Sequence, residues 1–177
     1  MPQNISQAQV SLTSTSTAYT QNFNGTGTTA TATLPSRFKI DKQTTARTAG
    51  AWATAVAATA FAAGANMSTS ASNGIDNYGD SATSTDRAVG FVSSTNGTVT
   101  GNLYVALANN TCSNLTGLQI GYNVEKYRNG SSVAAFRYQL LYWTDGSTWM
   151  AVGASFLTSF SQDAHSSGFT PAPSASL

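Results

Sequence analysis

Charged side chains are scarce in this sequence. Asp, Glu, Lys and Arg make up 8% of the 177 residues, and the formal net charge is +1, whereas an average soluble protein carries about 25% charged residues. Proteins that bind nucleic acid need clustered Lys and Arg to neutralise phosphates. Because the sequence contains no basic run, we expect no nucleic-acid partner.

Histidine and cysteine are almost absent. His165 is the only histidine and Cys112 the only cysteine, so one chain cannot supply the usual ligands of a zinc site or form an internal disulfide. No serine elbow or paired base accompanies His165 in the sequence. We therefore predict that the protein is not an enzyme and has no catalytic residues, and we expect Cys112 to be a small buried side chain.

Long apolar runs are missing as well. The longest, residues 51–65, is mostly alanine and is shorter than the roughly twenty residues that span a bilayer as a helix, so we expect no membrane insertion. The start MPQNIS lacks the basic and apolar regions of a signal peptide. Low charge and abundant Ser, Thr and Asn nevertheless favour a secreted or cell-surface protein from which the signal has been removed.

Alternation of apolar and polar residues predicts an all-β protein. LYVALA, residues 103–108, places every second residue on one strand face. Turns at 129–130 (Asn-Gly) and 145–146 (Asp-Gly) predict three consecutive antiparallel strands over residues 118–156. The alanine-rich segment 44–65 is expected to be an irregular crossing with at most one short helix.

The chain length is that of one domain. We divide the sequence into an N-terminal arm at residues 1–17, a β-sandwich domain at 18–162, and a tail rich in Pro and Ser at 163–177. The arm alternates Ala8, Val10 and Leu12 in a polar frame, which is typical of an edge strand.

Two sets of residues are candidates for ligand binding. Aromatic rings at the surface of a β-sandwich can stack on sugars. The loop 72–90 concentrates carboxylate and amide oxygens, the ligands that calcium prefers, although such residues also stabilise turns without a metal. The carbohydrate-binding candidates are Tyr78, Tyr127, Trp143 and Trp149, and the calcium-binding candidates are Asp76, Asn77, Asp80 and Asp86.

Several motifs occur in a characteristic order. They are YTQNFN at 19–24, NYG at 77–79, DRAVG at 86–90, YNVEKYRNG at 122–130, and Asp-Gly followed by Trp within 145–149. In this order they resemble a module of secreted bacterial cell-surface proteins that has no known function. The resemblance implies an antiparallel, jelly-roll-like β-sandwich and no established catalytic residues.

Such modules usually end with a strand like LxLRW and a hydrophobic strand near ALAIDDV, and this sequence ends at PSASL without either. We interpret the difference as a truncation or as a strand that another chain supplies by β-augmentation. The alternating residues Ala8, Val10 and Leu12 are the candidates for strand donation. Head-to-tail exchange would build an oligomer or a filament.

Glu125 in YNVEKYRNG is the only glutamate of the chain. We expect it to form a structural ion pair with Arg137 or Arg87, because partly buried pairs fix the register of neighbouring strands.

Three function classes remain compatible with the sequence. We place first a non-catalytic extracellular structural or adhesive surface subunit that self-assembles by β-strand exchange. The alternative is a carbohydrate-binding, lectin-like module of a larger secreted protein. The third is a glycoside hydrolase in which Glu125 pairs with Asp76, Asp80 or Asp86.

Overall fold

The computed structural model describes residues 9–28, 33–55, 75–79, 83–91, 93, 99–125, 136–145, 148–160 and 175–176. In this part of the chain the regular structure is predominantly strand, and its two helical elements are 3-10 turns at Asn24–Thr26 and Ala154–Phe156. The all-β prediction is therefore confirmed. The predicted turn at 129–130 and three candidate residues, Ala8, Asp80 and Tyr127, lie outside the described residues.

Short strands pair two by two in small open sheets. Five pairs are antiparallel, namely β2 with β5, β3 with β4, β7 with β12, β8 with β11 and β9 with β10, and β1 pairs in parallel with β6. The strands are β1 (Val10–Leu12), β2 (Phe38–Gln43), β3 (Ile75–Tyr78), β4 (Ala88–Phe91), β5 (Thr100–Val105), β6 (Leu107–Asn109), β7 (Asn123–Val124), β8 (Phe136–Gln139), β9 (Leu141–Tyr142), β10 (Met150–Ala151), β11 (Leu157–Phe160) and β12 (Ala175–Ser176).

The apolar core lies on one face of the β2–β5 pair. Alternation along β2 places Phe38 and Ile40 on this face, where they pack with Leu34. The ring of Phe23 meets that of Phe38 edge to face, with centroids 5.3 Å apart. Ile40 is completely buried, and full burial of such a side chain stabilises the fold by about 1.5–3 kcal/mol.

The opposite face of β2 is polar. Lys39, Asp41 and Gln43 alternate with the core residues. Across the antiparallel ladder Lys39 stands opposite Tyr104, and Asp41 stands opposite Asn102. Directly opposed residues project from the same face of a sheet, so this face gathers charged, amide and phenol groups in one place.

The first strand, β1, extends the ladder beyond β5. Val10 is completely buried, and its N–H donates to the Ala106 carbonyl at 2.8 Å. At the other end the Asn110 N–H donates to the Leu12 carbonyl at 2.8 Å. The long run 100–109 therefore pairs with β2 through its first half and with β1 through its second.

The segment 152–156 interrupts the pairing of β8 and β9 with β10 and β11. Ala151 stands opposite Leu141 and Leu157 opposite Gln139, so the whole segment faces Leu140 alone. The Leu140 backbone keeps both hydrogen bonds, because its N–H donates to Phe156 O and its carbonyl accepts from the Val152 N–H, each at 3.2 Å. The predicted pairing on either side of the 145–146 turn is thus present, with a shift of register.

Two expectations from the sequence are wrong. Residues 118–122 do not form the first strand of a meander, since β7 begins at Asn123 and pairs with β12. Their apolar side chains Leu118 and Ile120 are exposed. Cys112 is exposed rather than buried, because it lies in a turn with φ of 60°, in the left-handed region that occurs mainly in turns.

Candidate functional site

The chain's three tryptophans meet in one cluster. The rings of Trp143 and Trp149 lie 4.5 Å apart, and Trp52 lies 6.2 Å from Trp143. Tyr104 joins them, with its ring 5.4 Å from that of Trp149. All three tryptophans are half-buried. We call Trp52, Tyr104, Trp143 and Trp149 the aromatic cluster.

The β9–β10 hairpin positions two members of this cluster. Trp143 follows β9, and Trp149 precedes β10. In the turn between them the Thr148 N–H donates to the Asp145 Oδ1 at 2.8 Å, the local bond that makes Asp a favoured turn residue. The hairpin therefore brings both indoles to the same side.

Gly50 connects the hairpin to the β2–β5 pair. Its carbonyl accepts from the Trp149 Nε1–H at 2.8 Å, and its N–H donates to the Tyr104 hydroxyl at 2.9 Å. A Cβ at this position would lie 1.8 Å from the Asp41 Oδ2. Only glycine allows the backbone to approach the carboxylate so closely.

The carboxylate of Asp41 is held by three side-chain donors. Tyr104 Oη donates to Oδ2 at 2.7 Å, and Asn102 Nδ2 donates to Oδ1 at 2.7 Å. Gln43 Nε2 donates to Oδ2 at 3.0 Å. Burial, followed by the hydrogen bond and negative charge of Asp41, raises the pKa of Tyr104 above its ordinary value. The phenol therefore stays protonated and serves as a donor.

Lys39 lies against Trp52. Its Nζ is 4.5 Å from the centre of the Trp52 ring and donates to the Trp52 carbonyl at 3.1 Å. A cation over an indole face is stabilised by about 0.5–1 kcal/mol at exposed sites and more when water is excluded. This contact orders the loop that carries Trp52.

A groove of about 1300 Å³ begins at the aromatic cluster. Tyr104 and Trp149 line it at that end, and Val10 and Leu12 line it where β1 lies. Further walls come from β5, from β8 and from the coil segments 14–21 and 114–122. We call this cavity the groove.

Two tyrosines form another part of the groove wall. The rings of Tyr122 and Tyr138 lie 6.1 Å apart. Burial, with a smaller contribution from the Tyr122 phenol, raises the pKa of Tyr138 to about 12. The wall therefore presents neutral aromatic rings over the physiological pH range.

The structure unites two of the four carbohydrate-binding candidates, Trp143 and Trp149. Tyr78 packs elsewhere: its ring lies over Gly90, where a Cβ would be 2.3 Å from the ring. The Tyr78 hydroxyl donates to Asp76 Oδ2 at 2.9 Å, and Tyr78 is buried.

The described calcium candidates differ in exposure. Asp76 and Asn77 are buried in β3, whereas Asp86 is exposed before β4. The buried guanidinium of Arg87 donates to the Asn77 carbonyl and therefore places a positive charge beside these residues. Within the described ranges no three His, Cys, Asp or Glu residues are grouped as metal ligands. Calcium binding stays a prediction.

Three of the sequence motifs meet around Arg87. Its backbone N–H donates to the Asn24 Oδ1 at 3.0 Å, and the Asn77 side chain donates to the Gly27 carbonyl. The Arg87 guanidinium covers Gly79, where a Cβ would be 2.3 Å from Nη1. These motif residues therefore hold β3, β4 and the turn after residue 23 together.

The remaining candidates occupy strands or strand ends. Glu125 is exposed directly after β7, and Arg137 is exposed on β8 opposite Ser159. The ion pair of Glu125 stays a prediction. Val10 and Leu12 form the two ends of β1.

The sequence did not predict two members of the aromatic cluster, Trp52 and Tyr104, or the residue Gly50 that holds the cluster in place. The polar alternation Lys39, Asp41, Gln43 was a readable signal, because it marks a second, polar face of β2. Trp52 and Gly50 had no such signal, since they lie in a segment without periodicity and act through contacts to distant strands.

No helix in the described part of the chain is long and apolar enough to cross a membrane. Comparisons of the chain with protein-family models, with curated proteins and with solved structures found no match.

Proposed function

We propose that the protein is a non-catalytic extracellular structural or adhesive surface subunit that self-associates by exchanging β1 between chains. In this proposal a jelly-roll-like sandwich is completed by the first strand of a neighbour. The observation that carries it is the way β1 is attached: it pairs with β6 as a strand, and a long exposed segment connects it to the rest of the chain.

The contacts of β1 could form equally within one chain or between two. Beyond its backbone hydrogen bonds, Ser11 Oγ accepts from Asn110 Nδ2 at 2.7 Å. Val10 contributes a completely buried side chain. These contacts involve only the few residues of β1 and do not depend on which chain supplies them. The same surface of β6 would therefore accept β1 from another copy.

The connecting segment, residues 13–22, is exposed apart from the half-buried Ser14. Its hydrogen bonds among the described residues are local, such as Ser14 with Ser16 at 3.0 Å and Tyr19 with Gln21 at 2.8 Å. One contact to the body is the guanidinium of Arg37, 5.6 Å from the Tyr19 ring centre. Releasing the segment would therefore break few bonds, and loop-closure entropy grows slowly with length.

Exposed apolar side chains at other strands also favour association. Leu107, Met150 and Leu157 are 36–40% exposed, and exposed apolar surface on short open sheets is typical of interfaces. In a head-to-tail exchange each chain accepts β1 from one neighbour and donates its own β1 to another. Such an arrangement does not form a closed ring and therefore builds a filament.

A disulfide lock tests this function. Ser11→Cys with Asn110→Cys, in a Cys112→Ser background, would tie β1 to its own chain when the protein is oxidised as a dilute monomer before it is concentrated. We expect filaments by electron microscopy from the reduced protein and monomers by light scattering from the oxidised protein. Monomers in both states at high concentration would refute the proposal, because the unlocked strand would then show no tendency to exchange.

A carbohydrate-binding module is the second candidate, and the 4.5 Å contact between Trp143 and Trp149 favours it. Half-exposed indoles offer rigid faces on which sugar rings stack. Trp143→Ala should abolish binding on a glycan array while circular dichroism stays unchanged. Tyr142→Ala, at an exposed neighbouring position, is the matched control. Equal glycan binding by both variants would exclude the cluster as the site.

A further inference from the structure

The charged side chains that line the groove are all positive among the described residues. Among the described residues that line it, Arg47 and Arg137 are charged, and neither Asp nor Glu takes part. Both arginines are exposed, so their guanidinium groups are accessible to a ligand. In a chain with so few charged residues, this surface selects for negative charge.

Arg47 is held in an unusual backbone conformation. Its φ is 57°, in the left-handed region that non-glycine residues adopt only at an energetic cost. Thr100 fixes this conformation, because its Oγ1 accepts from the Arg47 N–H and donates to the Thr45 carbonyl, both at 2.8 Å. Strained residues occur preferentially at ligand sites, and Arg47 lines the groove in this conformation.

The size of the groove and part of its lining suit a chain of sugar rings. A volume of about 1300 Å³ exceeds the about 300–1,000 Å³ typical of small-molecule pockets. Half-buried rings of Tyr122, Tyr138 and Trp149 line it, Gln139 adds an amide, and aliphatic side chains such as Leu140 complete the wall. Aromatic faces and amides together recognise pyranose rings and their hydroxyls.

We propose that the groove binds an anionic polysaccharide, with Arg47 and Arg137 contacting its acidic groups and the aromatic rings stacking on its pyranose rings. The proposal rests on the carbohydrate-binding candidate above and adds the chemical class and the position of the site. Guanidinium groups suit carboxylate and sulfate oxygens equally, since both present two acceptors to the planar donor pair.

Calorimetric titration of the full chain with three hexasaccharides tests the proposal. The probes are an oligogalacturonate, neutral cellohexaose and a sulfated cellohexaose. We expect the acidic oligomers to bind, and binding to weaken as sodium chloride is raised from about 50 to about 500 mM. Preference for the carboxylated or the sulfated probe identifies the acidic group, and either preference supports the proposal.

Two arginine variants locate the site. Arg137→Gln and Arg47→Asn, in which Asn tolerates the positive φ, should each weaken binding of the acidic oligomer about three- to tenfold. Arg47→Lys should retain part of the affinity, which separates lost charge from altered fold. Arg37→Gln is the control, because Arg37 is exposed and does not line the groove.

The contrary results are distinct. Equal affinity for cellohexaose would overturn the anionic specificity and leave carbohydrate binding intact. If Arg47→Asn, Arg137→Gln and the control Arg37→Gln all bind the acidic oligomers as tightly as the native chain does, the site does not lie in the groove. Absence of binding to all three probes would overturn this inference, and the strand-exchange test would still stand by itself.

Discussion

Trp149 donates its indole N–H to the backbone carbonyl of Gly50 at 2.8 Å, across 99 residues of sequence. The N–H of the same glycine donates to Tyr104, which in turn donates to Asp41. One glycine residue thus fixes the β9–β10 hairpin relative to the β2–β5 pair. The shape of the aromatic cluster depends on this relationship.

Gly50→Ala should disrupt the cluster. The added methyl group would collide with the Asp41 carboxylate, and such overpacking costs about 1–3 kcal/mol. Urea unfolding followed by tryptophan fluorescence would show the lower stability, and the native emission spectrum should shift as Trp149 loses its hydrogen bond. Gly117→Ala is the control, since a Cβ there meets nothing within 4 Å. Equal stability of the two variants would contradict the close packing.

Tyr104→Phe should destabilise the protein by about 1–3 kcal/mol. The change removes the acceptor of the Gly50 N–H and one donor to Asp41, and Tyr104 is only 4% exposed. Chemical unfolding gives the measurement. Asn102→Ala in the same background should cost less than in the native chain, because the two residues share the Asp41 carboxylate. Strictly additive losses would argue against a shared network.

Alkaline pH should lower the free energy of unfolding, because the Tyr138 phenol ionises more readily in the unfolded chain than in the folded protein. Its pKa in the folded protein is about 12, whereas an unfolded tyrosine has a pKa of about 10. The unfolded chain therefore releases this proton first, so the contribution is fully present below about pH 10 and declines up to about pH 12. Urea unfolding across this range should give a shallower decline for Tyr138→Phe than for the exposed control Tyr142→Phe. Identical slopes would contradict the burial of the phenol.

Arg87→Lys should lower the free energy of unfolding by about 2 kcal/mol or more, since it removes buried charge-assisted hydrogen bonds. The side chain is 4% exposed and bonds to Asn77 while covering Gly79. Thermal unfolding measures the loss, with Arg37→Lys as the exposed control. A melting temperature unchanged in Arg87→Lys would show that the motif residues do not act as a structural centre.

Alternation and turn residues predicted the strand content and the hairpin at Asp145, because both depend on local chemistry. They misplaced residues 118–122 as a strand, since the alternation of Leu118 and Ile120 specifies faces but not a partner strand. Trp143 and Trp149 were predictable because they flank one turn. Trp52 and Gly50 were not, because their role arises from contacts between segments far apart in sequence.

The exchange of β1 between chains is the central claim, and it has a direct measurement. Two single variants in a Cys112→Ser background, Ser11→Cys and Asn110→Cys, are mixed, refolded together and oxidised. The Asn110 Nδ2 lies 2.7 Å from the Ser11 Oγ in the native contact, so a disulfide between the two variants reports β1 of one chain beside residue 110 of another. Non-reducing electrophoresis should show the mixed disulfide. A mixture that stays monomeric, while the double variant closes its internal disulfide, would contradict strand exchange.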